Sequence, residues 1–157
     1  MGCAEVAAAD PVGLLGAVFA AVYAAHMVGD HWVQTCHQAA IKGAPGWAGW
    51  WADIKHVVTL TVTKIAALIA VFAVTGSRVP LWQLSAALTV DALSHGWADR
   101  RTTLAGLAER AGLGPFYRLG VPRPAREDNP SLGTGAYALD QSWHIGWLFV
   151  TALIIAA

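Results

Sequence analysis

Four long apolar segments dominate the sequence and restrict what the chain can fold into. They cover residues 11–29, 57–75, 80–98 and 139–157. A helix needs about 20 mostly apolar residues to cross the ~30 Å hydrocarbon core of a bilayer, because each residue advances ~1.5 Å. The sequence therefore predicts an all-α protein, in which residues 1–157 form a single integral membrane domain. The predicted architecture is a four-helix transmembrane bundle with up-and-down topology.

The composition agrees with lipid as the main solvent of the chain. Of its 157 residues, 56% are hydrophobic and 13% are charged, about half of the ~25% charged residues of soluble domains. A water-soluble bundle would carry a polar stripe on each helix, and the first two segments lack one. Basic and acidic residues number ten each. This balance gives no indication of nucleic acid as a partner, since nucleic-acid-binding domains are typically basic.

The distribution of positive charge predicts the orientation of the bundle. Short cytoplasmic loops of membrane proteins carry an excess of Lys and Arg. The connections 30–56 and 99–138 contain Lys42, Lys55, Arg100, Arg101, Arg110, Arg118, Arg123 and Arg126. The opposite side has only Arg78. Both connections are therefore predicted to be cytoplasmic, with both termini outside the cytoplasm.

One part of the second connection has a helical pattern of its own. In residues 103–113, Leu104, Leu107 and Ala111 recur at helical spacing, with charged residues on the other side. Such a pattern is typical of a helix that lies along the membrane surface. We therefore expect a short interfacial helix on the cytoplasmic side of the bundle.

Pairs of His and Asp spaced four residues apart stand at the ends of three predicted helices. The pairs are His26 with Asp30, His95 with Asp99, and Asp140 with His144. Residues at this spacing share one helix face, with Cβ atoms ~5–6 Å apart. The histidine precedes the aspartate in the two helices that run toward the cytoplasm and follows it in the helix that runs away. All three pairs are thus expected at one level of the bundle.

His56 adds an imidazole from the remaining helix at the same level. Ionisable groups within a membrane span usually face the bundle interior or a cavity. Imidazole and carboxylate together suit a divalent metal such as zinc, manganese or iron. The predicted ligands are His26, Asp30, His56, His95, Asp99, Asp140 and His144, and the predicted catalytic residues are Asp30, Asp99 and Asp140. Seven candidates exceed the four ligands of one tetrahedral ion, so two ions, or one ion with a general acid or base left over, are both open.

Two other interpretations of these residues stay open. The pairs could satisfy one another and fix helix packing in a non-catalytic protein, or in one that binds a partner. They could also form part of an ion or proton pathway, although the outer half of the bundle offers mainly Gln83 for such a route. Lys64 lies on the face of His56, and Asp91 on that of His95, both deeper in the membrane. These two residues are predicted to form an ion pair, which offsets the burial of either charge.

Three stretches carry the repeated motifs, namely HMVGDHWVQ at 26–34, HGWAD at 95–99 and LDQSWH at 139–144. Through these H-x-x-x-D and D-Q-x-x-H motifs the chain resembles a family of small bacterial and phage membrane proteins, catalogued as a domain of unknown function. The resemblance covers all four segments. The chain is also distantly similar to bacterial inner-membrane proteins described as membrane-bound metal-dependent hydrolases.

The resemblance implies a place in the bacterial inner (plasma) membrane and a metal-dependent hydrolase activity at its cytoplasmic face. The expected partners are the lipid bilayer and a membrane-borne substrate, either a lipid or a phosphoester. Arginines that follow Asp99 are expected to hold an anionic headgroup.

Overall fold

The computed structural model describes residues 10–122 and 133–157, and within these ranges the chain forms helices and no strand. The α-helices are α1 (Pro11–Val28), α2 (Cys36–Ile41), α3 (Gly46–Thr75), α4 (Leu81–Asp99), α5 (Thr102–Arg110), α6 (Gly114–Tyr117) and α7 (Gly135–Ala156). A π-helical turn, Gly29–Val33, continues α1. The all-α class predicted from the sequence is confirmed.

Three helices are long and apolar enough to cross a membrane, namely α1 with its π-helical turn, α3 and α7. On α3, the apolar side chains of Val58, Val62 and Ile69 are exposed on the outer surface. An apolar outer face of this length suits contact with lipid. The predicted span 80–98 corresponds to α4, which is not among the three helices. Its buried Asp91 and His95 lower its hydropathy.

Two helices begin well before the predicted spans. Helix α3 starts at Gly46 rather than residue 57, and α7 starts at Gly135 rather than residue 139. Hydropathy detects the part of a helix that lipid solvates, whereas hydrogen bonding extends the helix into the polar region. Thr134 caps α7 by accepting a hydrogen bond from the backbone N–H of Tyr137. Because α2 and the first turns of α3 both fall within residues 30–56, much of that predicted connection is helical.

Hydrogen bonds fix the described segments that follow α1 and α4. Thr35 and Gln38 form a capping box that starts α2. The guanidinium of Arg100 donates hydrogen bonds to the carbonyls of Lys42 and Ala44, both at 2.5 Å. The short helix predicted within residues 103–113 is present as α5, which buries Leu104 against the bundle. The end of α4 is thus tied to the loop that precedes α3.

The four long helices contact one another in a closed ring, because α1 and α4 each pack against both α3 and α7. One end of the ring is filled by a cluster of buried aliphatic residues: Val18, Val22, Leu68, Ala87, Leu88, Leu148, Ala152 and Ile155. The other end buries histidines and aspartates. The ring therefore has an apolar half and a polar half.

Of the basic residues predicted to be cytoplasmic, Arg123 and Arg126 lie outside the described residues.

Candidate metal centre

Each long helix places one histidine in the polar half, and three side chains from three different helices converge there. The Nε2 atom of His56 lies 3.0 Å from Nε2 of His95 and 3.1 Å from Oδ1 of Asp30. The third side of this triangle, from His95 Nε2 to Asp30 Oδ1, measures 3.7 Å. Ligands of a tetrahedral ion with bonds of ~2.0–2.1 Å stand ~3.3 Å apart. Asp30, His56 and His95, called here the first triad, could therefore hold a metal ion.

A second triad of His95, Asp99 and His144 lies beside the first. Oδ2 of Asp99 is 3.2 Å from Nε2 of His95, and Oδ1 is 3.9 Å from Nε2 of His144. The rings of His95 and His144 stack with their centroids 4.1 Å apart. His95 belongs to both triads. The triads are therefore alternative sites for one ion, unless each of the two ring nitrogens of His95 binds a separate ion. Three protein ligands leave a coordination position open, as in catalytic zinc sites.

Two predicted ligands flank the triads without belonging to either. Nε2 of His26 is 3.5 Å from Oδ2 of Asp30. Nε2 of His144 is 3.5 Å from Oδ1 of Asp140, whose side chain is 31% exposed. Five of the seven predicted ligands thus form the triads, and His26 and Asp140 lie one contact away. The structure brings all seven into a single cluster.

Several buried atoms of this cluster lack a hydrogen bond among the described residues. They are Nδ1 and Nε2 of His26, Oδ1 of Asp30, Nδ1 of His56, Oδ2 of Asp99 and Nε2 of His144. Among them, Oδ1 of Asp30 is 3.1 Å from Nε2 of His56 and Oδ2 of Asp99 is 2.8 Å from Nζ of Lys42, both within ion-pair distance. Buried polar atoms normally have partners, and an ion is one reason for an exception. The donor set of imidazoles and carboxylates fits zinc, iron or manganese.

Gly29, the first residue of the π-helical turn, lies where α1 comes close to α3. A Cβ atom at this position would collide with the side chain of Leu60 on α3. The turn is closed by a hydrogen bond from the N–H of Gln34 to the carbonyl of Gly29. π-Helical turns are often found at functional sites. Here the turn carries Asp30 to within reach of His56.

Sequence reasoning missed two charged residues of the cluster. Nζ of Lys42 lies 2.8 Å from Oδ2 of Asp99. Asp53 is 2% exposed, and its Oδ1 atom has no hydrogen-bond partner among the described residues. Asp53 precedes His56 by three residues, a spacing that also places two side chains on one helix face. The four-residue His/Asp spacing does not include Asp53, and hydropathy predicts a connection over residues 30–56 rather than a helix.

A cavity of about 370 Å³ opens beside the second triad. Its lining includes Asp99 and Asp140 together with Lys42, Arg101 and Tyr117. Arg101 has a backbone φ of 58°, a strained value for a residue with a side chain. Burial raises the pKa of Tyr117, so its phenol stays protonated and can donate a hydrogen bond. The cavity thus combines two of the predicted ligand carboxylates with the cationic side chains of Lys42 and Arg101.

Below the histidines, Nζ of Lys64 lies 2.6 Å from Oδ2 of Asp91, and both side chains are buried. The ion pair predicted from the sequence is therefore confirmed. Pairing compensates the burial of the two charges. Beyond this pair the ring is filled by the aliphatic cluster of its apolar half.

No match to the chain was found among protein-family models, curated proteins or solved structures. The resemblance based on the H-x-x-x-D and D-Q-x-x-H motifs therefore stays a prediction.

Proposed function

We propose that the chain is a membrane-embedded, metal-dependent hydrolase that acts at the cytoplasmic face on a membrane-borne lipid or phosphoester. One observation carries the proposal: two buried His/Asp triads share His95 beside a cavity lined by Lys42 and Arg101. A purely structural network would need neither an open cavity nor unpartnered ring nitrogens. Perturbed, buried titratable groups that border a cleft are typical of active sites.

A divalent ion in a triad would supply electrophilic catalysis and water activation at neutral pH. The residues of the chain supply the rest. Asp140 is partly exposed at the cavity wall and 3.5 Å from His144, so it is placed to accept a proton from a water molecule. Lys42 and Arg101 bring positive charge to the same cavity, where they would bind an anionic group of the substrate.

The proposal includes four crossings of the membrane. Helix α4 has 19 residues, which span ~28 Å at 1.5 Å per residue. Its polar side chains Asp91, His95 and Asp99 are buried in the ring, so its outer face can meet lipid. The positive-inside rule then puts the polar half in the cytoplasmic leaflet and both termini outside the cytoplasm. The resemblance to bacterial proteins supports an inner-membrane location.

An ion or proton pathway is the less favoured alternative. Such a route needs polar groups across the whole membrane. Beyond the Lys64–Asp91 pair, the ring is closed by buried aliphatic side chains such as Val18, Leu68 and Leu148. The chemistry of the polar half therefore faces one side of the membrane only.

Elemental analysis of the protein purified in lipid nanodiscs tests the proposal. We expect about one divalent ion per chain, since the two triads share a ligand. The Asp99→Asn variant should lose the hydrolysis of chromogenic phosphoesters such as bis(p-nitrophenyl) phosphate, and removal of His95, the ligand that both triads share, should lose the ion as well. Asp140→Asn should keep the ion but lose at least about 100-fold in turnover, because it removes a general base.

The opposite results would contradict the proposal in separate ways. A wild-type protein free of divalent metal after growth and purification with zinc, manganese and iron would exclude a metal enzyme. Full metal content with equal turnover in the wild type and Asp140→Asn would show that Asp140 is not a catalytic residue. Asp10→Asn, on the exposed N-terminal end of α1, is the matched control and should change neither quantity.

A further inference from the structure

A second cavity of about 370 Å³, named here the apolar groove, lies between α5 and α7. Leu104, Leu107 and Ala108 line it from α5, and Leu139 and Trp143 from α7. Trp143 is held in position because its indole N–H donates to the carbonyl of Ser94 at 3.1 Å. The same indole stacks on Trp97 with the ring centroids 4.7 Å apart. One wall of the groove is therefore rigid and aromatic.

The apolar groove and the polar cavity share Leu104 as a common wall. Their linings differ in chemistry, because the polar cavity has Lys42, Arg101 and Asp140 whereas the groove is lined almost entirely by hydrocarbon. Ligand sites typically combine an apolar surface with a few convergent polar groups. A ligand that filled both spaces would need a charged end and a hydrocarbon end.

We infer that the two cavities together form the binding site of a single lipid with a phosphate headgroup. Its phosphate lies in the polar cavity between Lys42 and Arg101, and one acyl chain lies in the apolar groove against Trp143. The inference rests on the proposed function, because the headgroup position is the cavity beside the second triad. It goes further because it assigns the substrate to the anionic phospholipids and places the acyl chain of that lipid in the apolar groove.

Photo-crosslinking tests the placement of the acyl chain directly. The probe is a lysophosphatidate with a diazirine at the end of its single chain, added to the full-length protein in phosphatidylcholine nanodiscs. After illumination, mass spectrometry should find the label mainly on peptides of α5 and α7 that line the groove. Excess unlabelled lysophosphatidate should remove the label, and an equal excess of the uncharged monoacylglycerol should not.

A pair of matched variants makes the test specific. Leu107 lines the groove, and Leu119 is similarly exposed but lies outside it. Leu107→Gln should reduce labelling of the groove about fivefold by placing an amide against the chain. Leu119→Gln should leave labelling unchanged. Both side chains are exposed enough for the fold to tolerate the substitution.

Labelling spread evenly over the groove and the outer face of α3 would overturn the inference, because it would describe ordinary contact with bulk lipid. Equal competition by monoacylglycerol would likewise exclude recognition of the phosphate. Either result can occur while metal content and phosphoester hydrolysis are normal, in which case the proposed function stands without this substrate. Specific labelling of a protein that binds no metal would instead support the lipid site and contradict the proposed hydrolase activity.

Discussion

Lys42 and Asp99 form an ion pair of 2.8 Å at the boundary between the second triad and the polar cavity. The same oxygen of Asp99 lies 3.2 Å from the Nε2 atom of His95. A metal ion in the second triad and the ammonium group of Lys42 would therefore compete for one carboxylate oxygen. The pair also places a positive charge where an anionic substrate group would bind.

Replacement of this lysine should consequently have opposite effects on metal and anion affinity. In Lys42→Met, Asp99 loses a competing cation and the ion loses a repelling charge, so we expect metal affinity to rise about tenfold. Affinity for the lysophosphatidate probe should fall by a similar factor. Competition with a fluorescent zinc chelator and titration of the lipid probe measure the two quantities.

Lys55→Met is the matched control for Lys42→Met. Lys55 is exposed and lies over the ring of Trp51, 5.2 Å from its centroid. The control should change neither affinity measurably, because exposed charges are largely screened. Changes in the same direction for metal and lipid in Lys42→Met would contradict the competition described above.

His95 should be the most important single ligand because both triads contain it. We expect His95→Gln to weaken metal binding at least about 100-fold, more than the loss of a group that only orients a ligand. His31→Gln is the control, since His31 is exposed and belongs to neither triad. Elemental analysis after dialysis against a weak chelator should find metal in the control and little in His95→Gln. Retention of metal by His95→Gln would exclude both triads as the binding site.

The buried pair of Lys64 and Asp91 offers a test that separates stability from chemistry. Lys64→Met leaves the carboxylate of Asp91 buried without its cation, which should lower the free energy of unfolding by ~3–5 kcal/mol. The double variant Lys64→Met/Asp91→Leu removes both charges and should recover most of that loss. Unfolding by titration with SDS measures both values. Because the pair lies outside the triads, the double variant should also bind metal normally, and a large loss of metal would assign the pair to the site.

Substitution by alanine should have opposite effects on stability at two glycines of α7. A Cβ atom at Gly135 would collide with the backbone carbonyl of Phe116, whereas one at Gly146 would meet open space. Gly135→Ala should therefore destabilise the protein by ~1–3 kcal/mol, since α6 must move. Gly146→Ala should stabilise it by ~0.5–1 kcal/mol through the lower backbone entropy of the unfolded chain. Equal effects would show that α6 does not pack on α7 as described.

Much of the site followed from local spacing in the sequence. The four-residue pairs and His56 indicated a shared level in the bundle, and the structure gathers these residues into one cluster. Lys64 and Asp91 could be paired because each lies on the face of a histidine at helical spacing. For these residues the helical period alone was enough to predict which side chains lie close together.

The features that the sequence did not predict depend on tertiary contacts between distant segments. Lys42 comes near Asp99 through long-range contacts, in which Arg100 donates to the carbonyls of Lys42 and Ala44 and Arg101 donates to that of Ala39. Asp53 lies in the part of α3 that hydropathy assigned to a loop. The cavities form where α5, α6 and α7 pack together, with Lys42 and the end of α4 completing the polar one, and no periodicity in a single segment predicts this packing.

Because of the π-helical turn at Gly29–Val33, the geometry of the site depends on the number of residues in this part of the chain. Such a turn corresponds to one additional residue inserted into an α-helix. Deleting a residue from it would return this segment to the regular α-helical period and shorten the path to Lys42 by one residue, so Asp30 and Lys42 would be displaced from His56 and Asp99. Related proteins that use this site should therefore keep the number of residues between His26 and Lys42, even where the exposed side chains of His31 and Trp32 are replaced.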